Sequence, residues 1–431
     1  MAAGGARNGG RNDARNGAPH DAAERRAPDG READHLDRLR RHLERILPLT
    51  PGLAAHLGDI DPASLTSREA LARLPVLRKD ALMERQRADP PFGGFLPSDA
   101  RPSRVFVSPG PIYEPEPEGS DPYRAARALH AAGFRAGDVI VNCFGYHATP
   151  GGFILDGAAR ALGCTIHPAG PGNTAALAGT VRALAGAGPV GYVGTPDFLG
   201  TLLDALGQDT DAGPIDRALV SGGALFPAMR EGYAARGVTV AQCYATADIG
   251  LIAYETLGED GPHPGMVVAE DLIVEIVTPG TGDRVPEGEV GEVVVTPLDT
   301  IWPLVRLATG DLSRVLSGPS PCGRTNMRLA GWMGRADQRT KVKGMFVDPA
   351  QLARLRERMP ALGRVRLVVA REGSGEAGSG DAMTLLHEGE AQASEVEALM
   401  GEVLGLRGRA KRVDELPRDG IVIEDARRYD G

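Results

Sequence analysis

Residues 138 to 152 read DVIVNCFGYHATPGG. The segment Asp138 to Phe144 is apolar at nearly every position and centred on β-branched side chains, which suits a strand buried on both faces. The glycine, histidine, threonine and proline that follow break it, and Gly152 to Ala161 then supports a helix. Strand, polar loop and helix, in that order, are the repeating unit of a parallel sheet.

Outward from this stretch the unit recurs. Predicted strands at Gly163 to His167, Val190 to Val193, Arg217 to Ser221 and Val238 to Tyr244 alternate with predicted helices at Asp121 to Ala132, Thr174 to Ala185, Pro196 to Gly207 and Pro227 to Ala235. The pattern predicts an α/β fold with a parallel sheet covered on both faces. Ligands of such sheets gather beyond the carboxyl ends of the strands. The loops there are GYHATPGG, PAGPGNT, GTP, SGGALFP and YATADIG, and taken singly each also fits an ordinary turn. Upstream, the apolar run Val105 to Val107 leads into SPGPIYEP at 108–115. Its prolines remove backbone donors and stiffen the chain, whereas Gly110 permits close approach to a ligand.

The chain has 431 residues, enough for two or three domains, with 42% hydrophobic and 24% charged residues. Its 48 basic and 57 acidic residues give a net charge of -9, which disfavours nucleic acid or an anionic membrane as the main partner. Cys143, Cys164, Cys243 and Cys322 form no C-x-x-C pair and point to buried thiols in a reducing compartment. No apolar run reaches the length of a membrane span and no signal-peptide core is present, so a cytoplasmic protein is expected.

Residues 1–32 are rich in Gly, Ala, Asn and Arg and are read as a disordered tail. Leucines at helical spacing predict an amphipathic helix from Asp34 to Leu47, with shorter helices at Ser67 to Ala72 and Lys79 to Arg85. Beyond Gly265 the stretches MVVAEDLIVEIV and GEVGEVVVTPL predict a β-rich subdomain. The last ninety or so residues alternate helix and strand around a Gly/Ser-rich loop, REGSGEAGSGD, and predict a small α+β domain.

The succession of SGGALF at 221–226, YATADIG at 244–250, PLVRLATGDLS at 303–313 and CGRTNMRLAGWMGRADQRTKVKGMFVDP at 322–349 resembles the phenylacetate-CoA ligase family of adenylate-forming enzymes. The resemblance runs from about residue 70 to the C-terminus. It implies a large N-terminal domain, 33–337, that binds ATP and a small carboxylic acid, and a C-terminal lid, 338–431, that turns about Gln338 between two half-reactions. The acid first becomes an acyl-adenylate with release of pyrophosphate, and a thiol of coenzyme A or of a carrier-protein pantetheine then displaces AMP. By position, Gly222, Gly223, Ala224 and Leu225 would lie along the adenine, with Tyr244 stacked on it and Thr246 nearby. Asp248 would hold Mg²⁺, Asp311 the ribose hydroxyls with support from Arg335, and Lys341 and Lys343 would act from the lid. Ser108 and Gly110 would meet the phosphates, and Phe144, Tyr146, His147 and Gly151 would line the pocket of an aromatic acid. Relatives are often dimeric, which leaves a homodimer open.

Two positions depart from the family pattern. SPGPIYEP stands where a Ser/Thr/Gly-rich phosphate loop with a lysine is expected, and its Glu114 would repel triphosphate. Near the C-terminus Ile421 follows Gly420 where relatives place a lysine that bridges carboxylate and phosphate; Arg418, Arg427 and Arg428 are the nearest cations. An aliphatic side chain donates nothing to developing charge, so weak adenylation is expected. A nucleotide- or acyl-adenylate-binding protein of the same fold is the alternative.

Overall fold

The computed structural model describes residues 20–188, 190–207, 213–223, 225, 227–333, 336, 338, 340–347, 349–372, 380–417 and 421–427. Ala224, Arg335, Arg418, Gly420, Arg428 and residues 1–19 of the expected tail therefore lie outside the described residues. The chain divides into two compact units, one formed by 1–309 and 313–332, the other by 310–312 and 333–430.

The reading of 1–32 as disordered is corrected for residues 20–32. Asp21 caps a short helical turn, Ala22–Arg25, and Pro28 opens helix α1, Pro28–Ile46. Few apolar side chains were visible in this segment because buried ion pairs anchor it. Glu24, 0% exposed, accepts from the Tyr254 hydroxyl and pairs with Arg324 at 3.2 Å, while Arg31 pairs with Glu270 at 3.1 Å. Farther along α1, Leu36, Leu39, Leu43 and Ile46 form the apolar stripe that enters the core. Helix α2, Lys79–Ala88, buries Leu82 and Gln86.

A hairpin follows: β1, Val105–Ser108, pairs antiparallel with β2, Ile112–Pro115, in the register Val105 to Pro115 and Ser108 to Ile112. The expected loop at 108–115 is thus a tight turn and a strand. Gln86 of α2 fastens it, donating from Nε2 to the Tyr113 carbonyl at 2.7 Å and accepting from the Tyr113 amide at 2.9 Å.

The main sheet then builds as β3, Val139–Asn142; β4, Thr165–Pro168; β5, Val190–Gly194; β6, Ile215–Val220; β7, Thr239–Thr246; and β8, Gly250–Tyr254. The order β4-β3-β5-β6-β7 is parallel throughout, and β8 pairs antiparallel with β7. Short strands Met266–Val268, Arg328–Leu329 and Val315–Leu316 extend the same edge, so the sheet is mixed. Helices Gly151–Ala161, Thr174–Leu184, Pro196–Leu206 and Pro227–Ala235 link the parallel strands, close to the ranges read from sequence. The helix expected from Asp121 begins only at Ala126, because the Asp121 carboxylate caps the amides of Ala125 and Ala126. Leu272–Val277, Gly291–Pro297 and Leu307–Ser313 form the three-stranded sheet of the β-rich region.

In the second unit, Arg409–Arg412, Gly380–His387, Val365–Glu372 and Ile423–Asp425 form a four-stranded sheet in that order. Helices Pro349–Arg358 and Ala393–Leu404 accompany it, and Leu355, Leu367, Val369, Leu385, Val396 and Met400 make its core.

Candidate active site

Strand order places the site. From β3 the chain steps to β4 on one side, then crosses back to β5 on the other, so the switch point lies between β3 and β5. Ligands of open α/β sheets bind outside the carboxyl ends of the strands at such a point. Phe144 lies two residues past β3. A Cβ added to Gly151 or to Gly222 would lie 3.8 Å from the Phe144 ring, so the loops after β3 and β6 meet on one aromatic face.

Asn142 organises this corner. It is a fully buried polar residue at the end of an apolar strand; its Nδ2 donates to the Gly152 carbonyl at 2.8 Å and to the Tyr146 hydroxyl at 2.7 Å. Tyr146 in turn donates to Asp156 at 3.3 Å, and burial raises its phenol well above the ordinary range. Its ring meets Phe153 edge-on with centroids 5.3 Å apart, Phe106 lies 5.3 Å from Phe153 on another side, and the Arg104 guanidinium covers Phe153 at 4.7 Å. His147 is exposed, whereas Phe144 and Tyr146 are half-buried and Tyr146 joins Phe153 and Phe106 in an aromatic cluster. The polar end of strand Val139–Asn142 was the available signal for Asn142; Phe153 carried none, being one apolar residue on a helix.

The loop after β6 is held open at the edge. Ser221, buried, donates from Oγ to the Cys243 carbonyl at 2.9 Å and so ties β6 to β7. Gly222 then takes φ +71° and is exposed, a left-handed turn that a side chain would strain. Gly223 and Leu225 follow, half-buried. Tyr244, opposite Ala253 across β7 and β8, flanks a bulge, and Thr246 Oγ1 accepts from the Ile249 amide at 3.3 Å.

Asp248 occupies the turn from β7 to β8. Its side chain is 1% exposed, and Oδ2 lies 2.5 Å from Nζ of Lys79, the first residue of α2. The hairpin brings a second acid to the same spot. Glu114, 1% exposed, turns inward from β2 and accepts through Oε1 from Ser108 Oγ at 2.8 Å. Burial first, and then the nearby Asp248 charge, push the Glu114 carboxyl up to about 8, against the opposing pull of Ser108 and Lys79. Glu114 Oε2 and Asp248 Oδ1 are buried, and among the described residues neither has a hydrogen-bond partner. Val107 of β1 donates to the Ala148 carbonyl at 2.7 Å, so the hairpin is bonded to the loop after β3.

This corrects the reading of SPGPIYEP. Its acid does not project at a ligand from a loop; it is buried beside Asp248, and the Ser108 hydroxyl is committed to it. Gly110 sits at the hairpin turn, where an added Cβ would lie 2.9 Å from Met83 Sδ. Sequence gave no hint of Lys79, which looked like any lysine at a helix start. The orphaned oxygen of Asp248 fits a hard cation such as Mg²⁺.

Asp311, buried, belongs to the second unit, as do Lys341 and Lys343, both exposed on the hairpin Thr340–Val342 and Met345–Val347. Lys343 and Gly344 form its turn with φ +49° and +86°. Gln338 Oε1 accepts from the amides of Val422 and Ile423 at 2.7 and 3.3 Å. Arg427 is engaged with Asp425, Asp381, Thr340 and the Lys341 carbonyl, and Ile421 is 41% exposed. The four cysteines are free thiols. Among the described residues no helix is long and apolar enough to cross a membrane.

A mixed sheet with its parallel half switching between β3 and β5, followed by a β-rich region and a small α+β unit, is the fold of the adenylate-forming acyl-CoA ligases. A solved 2-hydroxyisobutyryl-CoA ligase in complex with 2-HIB-AMP and CoA superposes with a TM-score of 0.74 at 24% identity, covering 94% of this chain and 91% of that one. No family model matches the chain. Among curated proteins, a phenylacetate-coenzyme A ligase of Aromatoleum evansii is 30% identical over 319 residues, 70% of this chain and 69% of the relative. One from Thermus thermophilus is 29% identical over 362 residues, 80% and 78% of the two chains. The chain belongs to the phenylacetate-coenzyme A ligase family.

Proposed function

We propose that the chain is an AMP-forming acid–thiol ligase that activates a small aromatic carboxylic acid with ATP and passes the acyl group to coenzyme A. An acid carboxylate oxygen attacks the α-phosphorus, the bond to pyrophosphate breaks, and the acyl-adenylate forms. The coenzyme A thiolate then adds to the acyl carbonyl and AMP leaves. The observation that carries this reading is the meeting of two loops at Phe144: the aromatic cluster after β3 offers a face to an aryl acid, and Gly222 offers exposed backbone to a purine beside it. Tyr244 and Thr246 are assigned to the nucleotide, Asp311 to its ribose, and Gln338 to the hinge before Lys341 and Lys343.

Asp248 would hold Mg²⁺, which when bound offsets the negative charge that grows as pyrophosphate departs. Lys79 pairs with the Asp248 carboxylate and orients it in a buried turn. The hairpin, fastened by Gln86 and Val107, would shield from water the corner where the acid and the α-phosphate would meet.

Incubation with ATP, Mg²⁺ and a panel of aryl and short acyl carboxylates, followed by pyrophosphate exchange, tests the reading. Exchange that is strongest with an aryl acid is expected. Nucleotide binding without exchange for any acid would replace it with the adenylate-binding alternative, which no observation in the structure or the relatives favours.

A further inference from the structure

We propose that Glu114 is a second protein ligand, beside Asp248, for the divalent cation taken up at this edge, so that the cation site spans the hairpin and the turn from β7 to β8. The inference rests on the nucleotide-activating reading of the edge and extends it to a residue that position within the family does not assign.

Two carboxyl groups arrive from elements 134 residues apart in sequence, Glu114 and Asp248, and both side chains are 1% exposed. Each has one oxygen fixed: Glu114 Oε1 by the Ser108 hydroxyl at 2.8 Å, Asp248 Oδ2 by the Lys79 ammonium at 2.5 Å. Among the described residues the other oxygen of each, Oε2 and Oδ1, is buried without a hydrogen-bond partner, and the Asp248 carboxylate is near enough to act on Glu114 electrostatically. Buried acids in this state need a proton or a cation between them. Their donor set is all oxygen, the set preferred by Mg²⁺, which commonly takes one or two carboxylates and completes its shell with water and phosphate oxygens. Ser108 and Lys79 then do what outer-shell partners do at metal sites, orienting each ligand through its other oxygen.

Charge makes the same point. With the Glu114 proton in place the corner carries no net charge to attract a triphosphate; a divalent cation that takes the place of that proton between the carboxylates turns it to +1. The acid in the hairpin is then compatible with ATP: it carries the cation that other phosphate loops supply as lysine. Loading the cation releases whatever proton the pair holds.

Titration of the full chain with Mn²⁺ alone, following the electron paramagnetic resonance signal of free aqueous Mn²⁺, tests this without nucleotide or turnover. The wild type should bind one Mn²⁺ per chain, and Glu114→Gln and Asp248→Asn should each weaken it at least about tenfold, since loss of even an outer-shell partner costs that much. Mn²⁺ affinity in Glu114→Gln equal to wild type, or no binding by the wild type, overturns the proposal. Should Glu114→Gln fail to fold, Ser108→Ala decides: it frees Oε1 of the ligand, so an unchanged affinity is equally fatal. Absence of exchange with Mn²⁺ binding intact counts against the reaction alone. Exchange with Mn²⁺ affinity indifferent to Glu114 counts against the cation site alone.

Discussion

The chain departs from the expected family pattern in two places, and the structure treats them oppositely. In the hairpin at 105–115, the acid that replaces a phosphate-binding loop is buried, bonded to Ser108 and set against Asp248 and Lys79. At Ile421, an apolar side chain stands 41% exposed in place of a lysine, on a backbone whose next two amides are pinned by Gln338. The first substitution is built into the packing, with partners drawn from three elements; the second changes a surface. A change integrated in this way affects stability and pH response as well as ligand binding, whereas the other should affect rate alone. The sharpest way to break the contrast is Lys79→Met. Removing the ammonium leaves the buried Asp248 without its counterion, a loss of about 3 kcal/mol, the low end for buried pairs because Lys79 is 28% exposed. Urea unfolding measures it; a variant as stable as wild type would mean that Lys79 does not balance the buried acids.

The next effect turns on pH. Below about 4.5 the Glu114 carboxyl holds its proton whether the chain is folded or not, so it contributes no pH dependence. Between there and about 8 the folded chain keeps a proton that the unfolded chain has released, and stability falls as pH rises. Glu114→Gln removes this slope. Relative to wild type it should be neutral near pH 5 and more stable by a few kcal/mol at pH 8, up to about 1.4 kcal/mol for each pH unit between. Thermal unfolding at the two pH values gives the difference, and a gain that is the same at both would show that burial does not keep the acid protonated.

Legibility in the sequence divided along a physical line. Strands β3 to β7 and the helices between them were readable because local apolar runs set them. The glycine loop after β6, the turn at Asp248 and the phenylacetate-CoA ligase resemblance were readable for a related reason: they are contiguous motifs. What escaped depends on partners distant in sequence. Residues 20–32 looked too polar to order because their stabilising contacts, Glu24 with Arg324 and Arg31 with Glu270, join segments that no window of sequence shows together. Lys79 and Glu114 were hidden in the same way, one at an unremarked helix start and the other apparently aimed at a ligand. SPGPIYEP was read as a loop because its prolines suggested one, yet Gln86 supplies the bonds that make its second half a strand.

The smallest effect tests the exposed departure. Ile421→Lys introduces a cation where the family pattern leads one to expect it, at a surface position where a lysine carries no desolvation cost, so the melting temperature should not change. A donor aimed at developing charge is worth on the order of 10² to 10³ in rate when its surroundings are built for it. Here the surroundings have been without it, so a gain of about tenfold in pyrophosphate exchange, roughly 1.4 kcal/mol of barrier, is expected. The nearby arginine supports this: Arg427 is held by Asp425 and Asp381, so its charge is already balanced within its own unit and a lysine would add a cation. Exchange that rises in Ile421→Lys while stability stays flat keeps the two departures distinct, one structural and one kinetic. Exchange that stays unchanged would mean that position 421 does not supply the bridge, and that the cation needed for adenylation is already provided in the unit that holds Lys79.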